Sequence, residues 1–249
     1  MSIIRSKIKR SLAVYGILGF SILCAKTVIR YLTWFMSLHR RNLRVFQNSE
    51  LEFDRKWGVD TSGIVTPISS EVVGSNWVFG IKYQGCNPVA LHDILSNLPI
   101  QYGDFSFVDF GSGKGRAILV ASRFPFKEII GVEYSESLNK IARRNLATFQ
   151  NSEKRCMEIN VFCADATMFP IPQGPVIIFL FNPFGRQVMA TLVKNVLASF
   201  EENPWRIIVL YFNPLFADEW ARISAFAEIR RSKGLAIYDT HRHDASGSF

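Results

Sequence analysis

An acid, three alternate glycines and a second acid carry most of the chemistry that can be read from this sequence. Asp109 is followed by Gly111, Ser112, Gly113 and Gly115, and Glu133 lies 22 positions after Gly111. Phe105 to Phe110 is a short apolar run of β-favouring residues, so the first acid belongs near the end of a strand. Helix formers with an apolar face follow from Arg116 through Arg123. Strand, glycine turn and helix make the ligand corner of an α/β sheet. The glycines let backbone N–H groups approach a ligand, and the helix N-terminus faces it. Glu128 to Val132 reads as the next strand and delivers Glu133 where a βαβ unit places a ribose-binding carboxylate.

Three ligand classes compete for such a corner. A P-loop needs G-x-x-x-x-G-K-[ST], but Lys114 is followed by Gly115 and no glycine stands at the earlier position. A dinucleotide site wants G-x-G-x-x-G, and this turn is one residue tighter. Asp109 would also repel a diphosphate. The acid suits a ligand that carries an ammonium and a sulfonium. The stretch resembles motif I of class I S-adenosylmethionine (SAM) methyltransferases, acid-x-G-x-G-x-G. Gly131-Val132-Glu133-Tyr134-Ser135 resembles their ribose-binding strand end, and the resemblance runs from about Asp104 to Tyr238. It implies SAM as cofactor, held by Asp109, Gly111, Ser112, Gly113, Gly115, Glu133 and Tyr134. By the same resemblance Asp165 and Ala166 reach the adenine, although Asp165 could simply cap the next turn. Asp60, Thr61 and Ser62, from the segment before motif I, would line the pocket or else form a surface loop.

Asn182-Pro183-Phe184 follows the fully apolar run Val176 to Phe181. It resembles the [D/N]-P-P-[F/Y] signature of amino-group methyltransferases, with the second proline missing and the aromatic residue one position early. The resemblance implies that Asn182 and the Pro183 segment accept hydrogen bonds from an acceptor NH2 while Phe184 packs on it. The alternative is a strand-ending turn, and Asn213-Pro214 repeats the dipeptide after the next strand. The acceptor is then an amine or amide nitrogen of a protein or small molecule. Oxygen methylation of a lipid or quinone precursor, and a SAM-binding module without turnover, stay open. An NAD-type oxidoreductase fits the turn and Asp109 less well.

Charge is unevenly placed. Residues 1–58 hold 11 Lys/Arg against 3 Asp/Glu, whereas residues 59–249 hold 18 of each. The second part has no polyanion-binding excess, so nucleic acid is not the expected partner. Residues 1–49 contain no acid. The uncharged run Ser11 to Ala25 is shorter than the about 20 residues of a spanning helix. Leu12 to Ile29 becomes long enough if Lys26 snorkels. Beyond Lys26, the polar positions 26, 30, 33 and 37 share one helical face, as in an interfacial helix. A soluble N-terminal helix, a cleaved signal peptide and a mitochondrial presequence are the other readings. The expectation is an anionic-membrane anchor on the cytoplasmic side, of a bacterial inner membrane or of mitochondria. Four cysteines form no C-x-x-C pair, and no metal site is expected.

These residues need an α/β, Rossmann-like scaffold: a mostly parallel seven-stranded sheet with helices on both faces. The organisation expected is an anchor over 1–49, a linker or cap over 50–104, a SAM domain over 105–240 and a tail over 241–249. The patterns place helices at 88–98, 114–123, 136–149, 186–201 and 215–226. Strands fall at 76–83, 105–110, 128–132, 159–163, 176–181 and 206–212, with a final pair at 227–229 and 235–238. The whole arrangement, Gly58-Val59-Asp60-Thr61-Ser62-Gly63 included, resembles a bacterial group of class I methyltransferases without an assigned substrate. Through the anchor and motif I it is also similar to membrane-anchored protein-lysine methyltransferases of mitochondria.

Overall fold

The computed structural model describes residues 29, 49–65, 83–149 and 153–241. The chain divides between Asn48 and Ser49, and the second unit is the one described here. The expected N-terminal anchor, most of the strand expected over 76–83, and the tail beyond His241 lie outside the described residues. Among the described residues no helix is long and apolar enough to cross a membrane.

Seven strands form one sheet: β3 (Ser106–Phe110), β4 (Glu128–Glu133), β5 (Ile159–Cys163), β6 (Val176–Phe181), β7 (Ile207–Phe212), β8 (Ala227–Ser232) and β9 (Leu235–Asp239). Their spatial order is β5-β4-β3-β6-β7-β9-β8. The first five are parallel, and β9 runs antiparallel to β7 and to β8. Two residue pairs, β1 (Ile64–Val65) and β2 (Tyr83–Gln84), form a small antiparallel ribbon ahead of the sheet.

Central strand β6 is apolar throughout, and β3 is so apart from Ser106 and Asp109, because both faces are covered. On one face Phe107, Ile129, Ile177 and Ile208 pack with Ala117 to Ala121 of helix α3 (Arg116–Ala121) and with Leu91 and Leu95 of α2 (Pro88–Ser96). Phe53, in the helical stretch 49–57 (α1), joins the same cluster. On the other face Val108, Ile130, Ile178 and Val209 meet Val188, Leu192 and Val196 of α5 (Arg186–Glu202) and Trp220 of α6 (Ala217–Ala221). Helix α4 (Glu136–Thr148) starts at Ser135, whose hydroxyl accepts from the Leu138 N–H.

Three sequence expectations need correction. Helix α3 begins at Arg116 rather than 114, because Gly115 sits in the left-handed region at φ 87 and closes the turn before the helix starts. Helix α6 covers only Ala217–Ala221 of the expected 215–226. The Ile223 and Phe226 N–H groups bond three residues back, to Trp220 and Ile223, so the chain leaves in tight turns. Strand β8 runs on to Ser232 past a bulge between Glu228 and Arg230. Its charged side chains are those of an exposed sheet edge.

Candidate active site

Chain order leaves β3 outward to β4 and β5, then returns to β6 on the other side of β3. The crevice at such a switch point, outside the carboxyl ends of the strands, is where an open α/β sheet binds ligands. Gly111, Glu133 and Asn182 stand at the ends of β3, β4 and β6. With Tyr83, Gln84, Tyr134, Leu138, Phe181, Pro183 and Phe184 they line one narrow cleft.

The glycine turn is tied to the next strand. The Gly111 and Ser112 N–H groups donate to the Val132 carbonyl at 2.8 and 3.1 Å. Gly111 and Gly113 have φ of 84° and 53°, where a side chain is strained, and both are crowded. A β-carbon on Gly113 would fall 2.1 Å from the Tyr83 ring. The cradle is therefore made of bare backbone, walled by Pro183 on one side and Tyr83 on the other.

Glu133 is buried at 3 % exposure, yet it is built to be used as a carboxylate. One oxygen accepts from the Gly113 N–H at 2.8 Å and the other from the Ser135 N–H at 2.9 Å. A carboxylate has about four acceptor positions, so these bonds leave room for a ligand hydroxyl. Burial pushes its pKa up to about 7, while the backbone N–H groups of Ser135 and Gly113 pull it down. Asp109 is equally buried, and its carboxyl is held well above the usual range, first by burial and then by the charge of Glu133. Two buried acids side by side favour a cationic ligand, which would relieve both. The Ser112 hydroxyl is buried without a hydrogen-bond partner. The bare turn and the two buried acids fit SAM, whose amino and sulfonium groups are cationic and whose ribose offers a diol.

Other residues take less direct positions. Tyr134 is half-buried and lines the cleft. Ala166 is buried in the core beside β5. One Asp165 oxygen accepts from the Thr167 N–H at 2.9 Å and hydroxyl at 2.7 Å, so it does cap its own turn. Thr61 is fully buried, with its hydroxyl bonded to Asp54 and to Arg116. Asp60 pairs with the Lys114 ammonium at 2.7 Å, and the Ser62 N–H donates to Asp54. These three support the glycine turn, and the residues ahead of the sheet that reach the cleft are Tyr83 and Gln84, which sequence reasoning missed.

Asn182 is a left-handed residue at φ 44, and Asn213 at φ 49 holds the equivalent place after the neighbouring strand. The Phe216 N–H donates to the Tyr211 hydroxyl at 3.3 Å, and that hydroxyl donates to Asn182 Oδ1 at 3.4 Å. The amide is thus oriented from below by a tyrosine placed within an apolar strand. Phe184 is 6 % exposed, belongs to the same core cluster as Val188 and Leu180, and also lines the cleft. Among the described residues no His/Cys/Asp/Glu group could hold a metal ion.

Residues 71–163 match the family model described as "Histone methylation protein DOT1". A predicted N6-adenine-specific DNA methylase from Listeria monocytogenes resembles the chain at TM-score 0.46 and 14 % identity, over 62 % of this chain and 51 % of that one. A ribosomal protein L11 methylase from Lactobacillus delbrueckii does so at 0.45 and 12 %, over 67 % and 83 %. A putative RNA methyltransferase from Pyrococcus horikoshii does so at 0.44 and 19 %, over 61 % and 81 %. The chain thus spans about half the length of the Listeria protein. No curated protein matches the sequence. Over the matched stretch, which takes in motif I and strands β3, β4 and β5, the chain is similar to one class, that of the class I SAM-dependent methyltransferases. Its cofactor is S-adenosylmethionine.

Proposed function

We propose that this chain transfers a methyl group from SAM to an amine or amide nitrogen of a protein or small molecule. The observation that carries this reading is the Asn182 turn. It offers a neutral oxygen at the cleft rim, oriented by Tyr211, within the stretch Phe181 to Phe184, which has no acidic or basic side chain. SAM, when bound, supplies a methyl group already activated on a sulfonium. What the protein adds is position and exclusion of water. Asn182 would accept a hydrogen bond from the acceptor N–H and aim the nitrogen lone pair. Pro183 and Phe184 would close the apolar side. Gly111, Gly113 and Ser112 would hold the methionine portion, Asp109 its cationic end and Glu133 the ribose, with Tyr134, Asp165 and Ala166 toward the adenine.

A protein acceptor is favoured by the matched family, whose description names methylation of histones. It is also favoured by the balanced charge of residues 59–249, which lack the positive field of polyanion binders. The acid-free, basic and apolar segment 1–49 supports a location at an anionic membrane surface, on the cytoplasmic side because SAM is made and kept there. The same segment favours a second reading, oxygen methylation of a lipid or quinone precursor at that surface. Labelled methyl from SAM, incubated with the full chain and fractions of a cell extract, separates the two. Label in an alkali-stable amine supports nitrogen transfer. Label in an alkali-labile ester, or in a methyl ether of the lipid fraction, overturns it.

A further inference from the structure

Behind the glycine turn lies a group of buried charges that the chemistry above does not use. Arg116, the first residue of α3, is 1 % exposed. Its Nε donates to the Thr61 hydroxyl at 2.8 Å, and Nη1 donates to the Glu50 carboxylate and to the Cys86 carbonyl. Asp54 gathers the other side of the same segment, accepting from the Thr61 and Ser62 N–H groups at 2.8 and 2.7 Å and from the Thr61 hydroxyl. Lys114, between Gly113 and Gly115, donates to Asp60 at 2.7 Å and to the Ser62 carbonyl at 2.8 Å. Asn145 of α4 closes the loop, donating to the carbonyls of Asp60 and Lys114 at 2.8 and 2.9 Å.

All of this fixes the short segment Asp60-Thr61-Ser62, which in turn holds a residue of the cleft. The Tyr83 hydroxyl donates to the Thr61 carbonyl at 2.6 Å, and the Tyr83 ring lies across Gly113 and lines the cleft. A buried arginine is an expensive way to stabilise a fold, since apolar replacements of such networks are often neutral or better. Its use here is geometric, because a planar fork reaches three partners in one fixed arrangement, which lysine does not.

We propose that Arg116 is a positioning residue for the cofactor: through Thr61 it sets Tyr83 across the glycine turn, and Tyr83 is a wall of the SAM site. This rests on SAM occupying the cleft, so Glu133→Ala serves as the control. The experiment is titration of SAM into the full chain by calorimetry, beside the thermal midpoint of the unliganded protein. Tyr83→Phe keeps the ring and removes only its link to Thr61. It is expected to weaken SAM roughly 3- to 10-fold with a midpoint near that of the parent. Arg116→Lys keeps the charge and loses the fork, and is expected to weaken SAM by at least as much. The double variant is expected to be no weaker than the weaker single one, because both changes cut the same path. Unchanged SAM affinity in Tyr83→Phe, or additive losses in the double variant, would overturn the proposal. If Arg116→Lys does not fold, Thr61→Val takes its place in the same cycle with Tyr83→Phe. Glu133→Ala tells the two failures apart. If it weakens SAM while Tyr83→Phe does not, only the positioning role is lost. If neither does, the cofactor site itself lies elsewhere.

Discussion

Gly111 and Pro183 touch so closely that a β-carbon on Gly111 would lie 2.3 Å from the proline Cβ. The turn after β3 and the turn after β6 are therefore packed backbone against ring, and whatever moves one moves the other. Gly111→Ala adds two penalties: a left-handed φ of 84° that alanine resists, and a clash that only a shift of the Asn182-Pro183 turn relieves. Gly58 shares the left-handed conformation, at φ 66, with nothing within 4 Å of an added β-carbon. Gly58→Ala should cost about 1–2 kcal/mol. Gly111→Ala should cost measurably more, and should also weaken SAM. Chemical denaturation and calorimetric titration of the two variants check this, and equal losses in both would mean that the contact is slack.

The buried acid pair fixes a pH dependence. In the unliganded protein Glu133 has its pKa raised from 4.5 to about 7. Its contribution to stability is complete below pH 4.5 and is lost as pH rises through 7, and Asp109 shifts in the same direction. A cationic ligand with a ribose diol prefers both groups ionised. SAM affinity should therefore strengthen as pH rises from about 6 to 7.5, with protons released on binding. Calorimetry in two buffers of different ionisation enthalpy measures the release directly. Glu133→Ala should weaken SAM roughly 10- to 100-fold and flatten this pH dependence. A flat profile in the parent chain would remove Glu133 from the site.

The elements legible in the sequence are those whose side chains face one kind of surroundings. Val176–Phe181 and Ile207–Phe212 read as strands because both faces are apolar, and Glu133 was placed by its spacing from Gly111. The Arg116 network was not legible, since its partners Glu50 and Thr61 lie 66 and 55 positions away. One signal was present: Arg116 opens a helix, Arg-Ala-Ile-Leu-Val-Ala, in which every other side chain is apolar. A second was Tyr211, a hydroxyl within an otherwise apolar strand, which required a partner and has one in Asn182. The pattern over-extends helix α6 because apolar residues from Leu215 to Phe226 also suit a series of tight turns around Trp220, which stacks on Tyr238 at 6.1 Å. The sequence neighbourhood of Thr61 points it toward the pocket, whereas its hydroxyl is spent on Asp54 and Arg116.

The division between Asn48 and Ser49 makes the membrane proposal separable from the catalytic one. Residues 50–62 are bound into the SAM unit through Glu50, Asp60 and Thr61, so a truncation must stop short of them. Deleting residues 1–45 should yield a domain that binds SAM with the affinity of the full chain. It should no longer sediment with vesicles containing anionic lipid. The full chain should sediment, and less so as salt is raised, since part of the attraction is screened charge. If the truncated domain still sediments, the membrane contact lies within residues 46–249.

In the proposed function Asn182 positions the acceptor nitrogen, and its backbone, at φ 44, dictates which variant is informative. At φ 44 alanine would add strain of about 1–2 kcal/mol and confuse lost chemistry with a distorted turn. Glycine accepts the conformation and removes only the amide. Asn182→Gly should lower turnover by about 100-fold through lost positioning and leave SAM affinity within a factor of about two, as no SAM contact is assigned to that amide. Asn213→Gly is the matched control: same backbone region, φ 49, at the end of the adjacent strand, without the tyrosine bond. It should change turnover little. Tyr211→Phe removes the donor that orients Asn182 and should fall between the two, about 3- to 10-fold slower. The three rates, measured with the acceptor fraction found by methyl labelling, test the order Asn182 below Tyr211 below Asn213. If Asn213→Gly is as slow as Asn182→Gly, the two Asn-Pro turns serve the sheet alike, and the nitrogen acceptor must be held by other residues.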